Sequence, residues 1–374
     1  MLFDALIAGA GPAGSVAARL LARAGWDVAL VERTPFPRRK VCGEFISAVT
    51  LPVLEACGVG QAFAAAAGPV VTRVGIYAGE AALMAPGERA WGQALSREHL
   101  DLLLRDAAVA AGAKLYQPVE LESFERDGDG FTCRLGETEI KAHTLIAACG
   151  SWNAKGLFAL AQKPAPSDLF AFKAHFTASR LPPGLMPLLA FPGGYGGLVH
   201  EDGGRTSLSC CVRRDVLAEI RTRYPGRAAQ AVLAHIMATT RGVHEALTGA
   251  LLEGNFLSTG PIHPGIRPRY KDGIFFTGNI AGEAHPIIAE GISMAIQASA
   301  LLARLLIACR GEDYARAWRR HFAPRIRASS LFAHLAMNRA TRAAALGLLK
   351  AAPSLIGWGA RLSGKSDSVP VPSA

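Results

Sequence analysis

Apolar and polar positions follow two different periods along the chain. Phe3–Ala8 is an unbroken apolar run, short enough for a buried strand. From Ala13 to Ala24, alanine and leucine recur at helical spacing, and Gly25 supplies the stop. Trp26–Val31 returns to strand composition and ends at Glu32. Ser96 is placed to cap an amphipathic helix from Arg97 to Ala110, closed by Gly112. Far downstream, Gly273–Thr277 reads as a buried strand, and a long apolar helix is predicted from about Gly291 to Ile307. Between these stretches, Phe170–Phe176, Leu188–Phe191 and Thr206–Val212 have strand composition, with breaks at Pro164–Pro166 and Pro182–Gly184. Alternating strands and helices predict an α/β protein.

Composition narrows the function classes. Half of the 374 residues are hydrophobic and 19% are charged, which excludes a disordered chain. The net charge of +10 is concentrated: residues 304–365 carry twelve Lys/Arg and two acidic residues, and the body before them is nearly neutral. Nucleic-acid binding is therefore not expected. The seven cysteines (Cys42, Cys57, Cys133, Cys149, Cys210, Cys211 and Cys309) form no C-x-x-C pair. No disulfide framework and no metal site are expected, and a reducing, cytoplasmic setting is. Met1–Gly9 lacks a basic region and a cleavage site, so no signal peptide is expected.

The strongest local signal is Gly9-Ala10-Gly11-Pro12-Ala13-Gly14, a G-x-G-x-x-G turn between the first strand and helix. Gly9 makes the turn, Gly11 admits a pyrophosphate, and Gly14 lets helix and strand pack closely. The helix N-terminus offers free N–H groups to phosphate oxygens. Glu32, at the end of the second strand, is placed to accept from ribose hydroxyls. This marks a dinucleotide site and leaves FAD and NAD open.

Further motifs resolve that choice through a resemblance. Lys40-Val41-Cys42-Gly43 follows a basic, proline-broken loop, and Arg97 precedes a Leu100-Asp101 pair. Gly278, Asn279, Ala281, Gly282, Pro286, Gly291 and Ile292 fall on a second glycine-rich signature. Over roughly residues 1–310 the chain resembles flavoproteins of the p-hydroxybenzoate hydroxylase fold, in the geranylgeranyl reductase-like branch that borders the flavin-dependent halogenases. The resemblance implies a Rossmann-type FAD-binding domain with an inserted antiparallel-sheet substrate domain and a helical C-terminal segment. The expected FAD-binding domain comprises 1–68, 96–165 and 256–310, the substrate domain 69–95 and 166–255, and the basic segment 311–374. It implies FAD contacts at Gly9, Gly11, Ala13, Gly14, Glu32, Arg33, Cys42, Gly43, Arg97, Val119, Gly278, Asn279, Pro286, Gly291 and Ile292. The helix beginning near Gly291 would direct its positive end at the flavin.

Three departures from the family pattern stand out. Asn279 replaces an aspartate, Ala289 replaces the first glycine of the family's G-x-G-I, and Cys149-Gly150 replaces an Asp-Gly that helps the hydroxylases use NAD(P)H. The electron donor, NAD(P)H or a separate protein, stays open. Trp26, Trp91, Trp152, Trp318 and Trp358 are isolated, so the halogenase W-x-W pattern is absent.

For catalysis, Cys42 could protonate a substrate carbanion or could simply pack in its loop. His285 is expected to face the flavin as a proton donor, with a structural role as the alternative. Glu44 could tune the Cys42 thiol but reads first as a surface carboxylate, and Glu290 reads as a helix cap. Tyr195 and Phe191 are candidates for lining the substrate cavity, and Cys210 and Cys211 read as core filler on opposite faces of a strand.

The basic tail interleaves arginines with leucines and phenylalanine. It can close over the core, lie at the inner face of a membrane, or dock an acidic carrier protein. Lys365–Ala374 reads as disordered. The leading expectation is hydride transfer at flavin N5 that reduces or dehydrogenates a carbon–carbon bond of a lipophilic isoprenoid, polyene or acyl substrate, free or carrier-bound. The alternatives are a flavin monooxygenase acting on an aromatic or polyketide substrate, and a nucleotide-binding interaction protein without catalysis.

Overall fold

The structure, a computed structural model, describes residues 1–151, 158, 163–365 and 369–370. Strand β1 (Leu2–Ala8) leads through the glycine turn into helix α1 (Pro12–Arg23) and strand β2 (Val28–Val31). Two short strands, β3 (Arg73–Ala78) and β4 (Ala81–Met84), precede helix α2 (Arg97–Ala110), strand β5 (Lys114–Tyr116) and strand β6 (Thr138–Ala147). Ser96 caps α2 as its sequence predicts, its hydroxyl accepting from His99 N. Four longer strands follow: β7 (Leu169–Thr177), β8 (Leu185–Phe191), β9 (Gly194–His200) and β10 (Thr206–Arg213). Strands β11 (Leu251–Ile262) and β12 (Ile274–Phe276) lead to helices α3 (Gly291–Ile307), α4 (Tyr314–Met337), α5 (Arg339–Ala351) and α6 (Ser354–Ala360).

The strands form two main sheets. In the first, β12, β6, β1, β2 and β5 lie side by side and parallel. Both faces of β1 are buried: Ala5 and Ile7 face the cluster of α1, α2 and α3, while Leu6 and Ala8 face a cluster with Phe131, Cys133 and Ile140. Burial on both faces explains why the strand reads as a continuous apolar run. The second sheet runs in the order β11, β7, β10, β9, β8, β3, β4. It is antiparallel except between β8 and β3. Strand β11 pairs with β7 as far as Ile262, so this strand runs past residue 255, where the expected substrate-domain segment ends.

Side-chain alternation divides the faces of the second sheet. Phe172, Ala174, Phe176 and Cys210 pack on helices Arg214–Arg223, Ala228–Thr239 and Arg241–Leu247. Their neighbours Ala171, Lys173, His175 and Cys211 therefore face the first unit, which puts Cys210 and Cys211 on opposite faces.

Helix α4 closes over this assembly, burying Trp318, Phe322, Ile326 and Ser329. Helix α5 buries no residue. Lys365, read from sequence as the start of a disordered tail, is instead buried and bonded, because its ammonium donates to Ile288 O at 2.6 Å and meets Glu290 Oε1 at 3.0 Å. The remainder of that expected disordered stretch lies outside the described residues, apart from 369–370. Among the described residues, no single helix is long and apolar enough to cross a membrane. Only the pair Arg339–Ala351 and Ser354–Lys365, bent by 115°, meets that test of length and composition.

Candidate active site

A cleft of about 730 Å³ lies between the two sheets, within the usual size range of ligand pockets. One end is the glycine turn. Gly9 adopts φ +109°, and a Cβ there would sit 2.6 Å from Ala148 O, so only glycine fits. A Cβ on Gly14 would fall 1.8 Å from Gly9 O, so Gly14 is the point where helix and strand touch. Gly11 differs from both. Its missing side chain leaves space in which the nearest atoms are Arg38 Nη2 and Arg97 Nη2, at 3.6 and 3.7 Å from the point a Cβ would occupy.

Asp101, one turn into α2, holds both guanidinium groups. Arg97 donates to its two oxygens at 2.7 and 2.8 Å, and Arg38 Nε donates at 3.2 Å. Burial alone would lower the Arg97 pKa, but Asp101 and Cys42 outweigh it and raise the pKa. Helix α1 begins here with Gly11 as its cap residue and no side-chain cap. Its first amides and two fixed cations thus converge on one spot, a place suited to a pyrophosphate. Glu32, buried at the end of β2, accepts from Ala10 N at 3.0 Å and from Arg38 at 2.6 Å.

The opposite end is built from the second glycine-rich signature. Helix α3 starts at Gly291 after Ala289, which adopts a left-handed φ of +53°. Its cap residue, Glu290, makes no cap bond, contrary to expectation. The Glu290 side chain turns inward instead, accepting from Ser47 Oγ at 3.1 Å and meeting Lys365. The first turn of α3 is thereby left open towards the cleft. Asn279, where the family carries aspartate, donates its amide to Glu283 Oε1 at 3.1 Å and to Ser151 Oγ at 3.2 Å. An aspartate could not donate to Glu283, so the local hydrogen bonding accounts for the change. Burial raises the Glu283 pKa despite Ser151, Arg267 and Asn279.

Every expected cofactor residue except Gly14 lines this one cleft, including Ala13, Arg33, Cys42, Gly43, Val119, Gly278, Pro286 and Ile292. Cys149 and Gly150 line it as well, with the Cys149 thiol donating to Ala8 O at 3.4 Å. The second sheet contributes an apolar wall that includes Met186, Leu188, Leu257 and Ile262.

Two expected site residues lie elsewhere. Phe191 does not line the cleft. It is fully buried in the outer core, where its ring meets His235, because its position in β8 points it towards the helices. His285 does not line the cleft either. It stands behind Tyr195, with its Nδ1 3.1 Å from the tyrosine hydroxyl and its backbone N–H donated to Ser329 Oγ. Burial lowers its pKa to about 4, so the ring is neutral near pH 7 and poorly suited to donate a proton as imidazolium. Tyr195 does line the cleft, and burial raises its pKa, with Cys211 and Glu283 adding to the rise.

Glu44 corrects the sequence reading most clearly. It is 1% exposed rather than on the surface, adopts a left-handed φ of +60°, and forms an ion pair with Lys173. Asp101, Glu44 and Lys365 were all missed as site-forming residues. Asp101 follows Arg97 at i+4, and Lys173-x-His175 interrupts an otherwise apolar strand. Either pattern could have signalled its partner.

Residues 3–155 match the FAD binding domain family. A menaquinone reductase of Mycobacterium tuberculosis (strain ATCC 25618 / H37Rv) is 31% identical over 153 residues, which cover 40% of this chain and 38% of that protein. Digeranylgeranylglycerophospholipid reductase 1 of Methanopyrus kandleri is 26% identical over 339 residues, covering 84% of this chain and 82% of its own length. Among solved structures, the flavin-dependent brominase Bmp2 superposes with a TM-score of 0.78 at 19% identity, covering 98% of this chain and 94% of that one. At that identity the likeness speaks for the fold alone. The residues of the cleft fit FAD: two guanidinium groups and an uncapped helix for the pyrophosphate, Glu32 for a ribose, and the open start of α3 for the flavin.

Proposed function

For a chain that carries an FAD-binding domain and groups with the geranylgeranyl reductase-like FAD-dependent oxidoreductases bordering the flavin-dependent halogenases, we propose reduction, or the reverse dehydrogenation, of a carbon–carbon bond in a lipophilic isoprenoid, polyene or acyl-type substrate. The observation that carries this reading is the continuity of the cleft. The residues suited to hold FAD and an apolar wall from the second sheet line one space, so an apolar chain can lie against the flavin without crossing a polar barrier. Bound FAD supplies the hydride chemistry.

The chain's own residues supply position and charge. Arg38 and Arg97, fixed by Asp101, hold the phosphates. The first amides of α3 favour negative charge at their end of the cleft. Met186, Leu188 and Leu257 exclude water from the opposite wall. Cys42 stands in the cleft beside these groups, its sulfur 3.5 Å from Glu44 N, where it is available to a reacting carbon.

The test is the absorption spectrum of the purified protein, followed by anaerobic reduction and a search for a saturated product from a polyprenyl quinone or polyprenyl lipid. The expected result is a bound flavin whose reduced form is reoxidised by the unsaturated substrate without oxygen. Reoxidation only with oxygen, with an oxygen atom in the product, would replace this reading by a monooxygenase. The absence of flavin after reconstitution would remove both.

The C-terminal helices support a lipid-facing role. No acidic residue occurs from Tyr314 to Lys365. Leu331, Leu348, Trp358 and Leu362 are exposed there, and Ala340, Ala344, Gly347, Leu348 and Ala351 form one exposed apolar stripe on α5. We assign this surface to an anionic bilayer carrying the substrate. The Leu348→Glu, Trp358→Glu double variant is expected to keep its flavin and lose sedimentation with phosphatidylserine vesicles. Unchanged sedimentation would overturn the assignment.

A further inference from the structure

Several buried charged groups that FAD binding does not explain meet beside the cleft. Glu44 comes from the loop after Cys42, Lys173 and His175 from the inward face of β7, and Glu201 from the end of β9. His175 Nε2 lies between the two carboxyls, 3.1 Å from Glu44 Oε2 and 3.2 Å from Glu201 Oε1. Arg39 Nη2 approaches His175 Nδ1 at 2.9 Å. A guanidinium only donates, so Nδ1 accepts and the ring proton sits on Nε2, facing both carboxyls. Glu44 also accepts from Arg97 N at 2.9 Å. Glu201 is 1% exposed, and neither of its oxygens has an aligned hydrogen bond, although Arg205 Nε lies 2.9 Å from Oε1.

One carboxyl, one imidazole and a second carboxyl within 4.8 Å of one another could in principle hold a metal ion. The surrounding charges argue against that. Lys173, Arg39 and Arg205 already supply three positive charges, and Lys173 occupies Glu44 directly. What the second carboxyl lacks is an aligned hydrogen bond, and a proton shared with Glu44 provides it. Glu44 alone of the three lines the cleft.

We propose that Glu44, His175 and Glu201 form a proton-storing site in the cleft wall, holding one proton between the two carboxyls and passing it into the cleft through Glu44. Burial and the neighbouring Glu44 push the Glu201 pKa up, to about 10, which agrees with this geometry. Burial alone would raise the Glu44 pKa, but His175, Glu201 and Lys173 hold it well below the ordinary carboxylate range. Asp202, Glu98 and His99 from the start of α2, and Glu253 from β11, complete the charged surroundings, and all but His99 contact Arg205.

The use of this proton rests on the reductase reading; its existence does not. In the transfer, the O–H bond of Glu201 breaks and an O–H bond forms on Glu44. That bond then breaks as the proton passes to the substrate carbon beside the one that has accepted hydride, whose electron pair forms the new C–H bond. No electrons leave the cluster. The carboxyl pair goes from one negative charge to two beside Lys173, Arg39 and Arg205, and water restores the proton afterwards.

Infrared spectroscopy of the flavin-loaded protein at neutral pH tests for the stored proton. The expected signal is a protonated-carboxyl carbonyl band that shifts in D2O, disappears in Glu201→Gln and persists in Glu283→Gln, the control for another buried carboxyl whose pKa burial raises. Absence of the band from the wild type, or its survival in Glu201→Gln, would overturn the proposal. So would binding of one equivalent of Zn²⁺ or Mn²⁺ by the wild type that Glu201→Gln abolishes. If Glu201→Gln does not fold, carbon-13 glutamate labelling assigns the band in the wild type. In turnover, Glu201→Gln is expected to lower kcat about 100-fold with KM unchanged. Unchanged kcat would overturn the transfer. A wild type inactive on every unsaturated substrate would count against the function reading and leave the infrared result intact.

Discussion

The three glycines of the first turn have different roles, and methyl groups separate them. Gly14→Ala places a carbon 1.8 Å from Gly9 O, a contact no side-chain movement relieves, so loss of the folded protein is expected. Gly11→Ala meets nothing closer than 3.6 Å. Its stability should change by less than about 0.5 kcal/mol, while FAD affinity falls because the methyl stands where the phosphates approach. Thermal melting of the flavin-free proteins together with flavin titration reads both effects. A Gly11→Ala variant that binds FAD normally would show that the pyrophosphate lies elsewhere. These roles are readable from spacing, because the motif is continuous in sequence. Glu44 was not readable in this way. Its partners lie at 173, 175 and 201, and nothing near residue 44 announces that a strand more than a hundred residues later will bring a lysine and a histidine beside it.

At the scale of elements, β1–α1–β2, the cap on α2 and the extent of α3 follow from local pattern, since each is fixed by residues next to one another. The setting of α3 depends on distant residues. Behind its first turn, Ser293 Oγ accepts from Ser47 N, Gln297 donates to Thr50, Arg325 of α4 donates to Gln297, and Lys365 closes on Ile288 and Glu290. Glu290 and Lys365 are both almost fully buried. Removing the ammonium leaves a buried carboxylate without its partner, a loss on the order of 3–5 kcal/mol. Lys365→Met should therefore destabilise the protein and weaken FAD, and Glu290→Gln in the same chain should recover much of the loss. A Lys365→Met protein as stable as the wild type by urea denaturation would mean that the pair does not hold the loop. The expectation of disorder fails at Lys365 itself, because composition describes the segment, whereas order at this residue comes from its distant contacts with Ile288, Glu290 and Arg89.

For the whole molecule, the cleft-side carboxyl pair ties stability to pH. Glu201 has an ordinary carboxyl pKa of 4.5 when unfolded and about 10 when folded. Below pH 4.5 both states hold the proton and its contribution is complete. As pH rises through that window the unfolded chain releases the proton and the folded chain keeps it, so stability declines until about pH 10. Glu44 has the opposite shift, and its contribution is present above pH 4.5 and lost as acid protonates it. Urea midpoints measured from about pH 5 to about pH 9 should fall in the wild type and stay flatter in Glu201→Gln; parallel curves would locate the proton elsewhere. The link from Lys365 to Ile288 also sets an order of assembly. During synthesis the glycine turn and Glu32 emerge first, and a nascent chain can present its pyrophosphate end early. The loop at the flavin end stays unlatched until a residue 77 positions beyond it has been made and has folded back. Cofactor capture is thus divided in time: the nucleotide half can be received first, and the ring can be seated only once residue 365 has folded back.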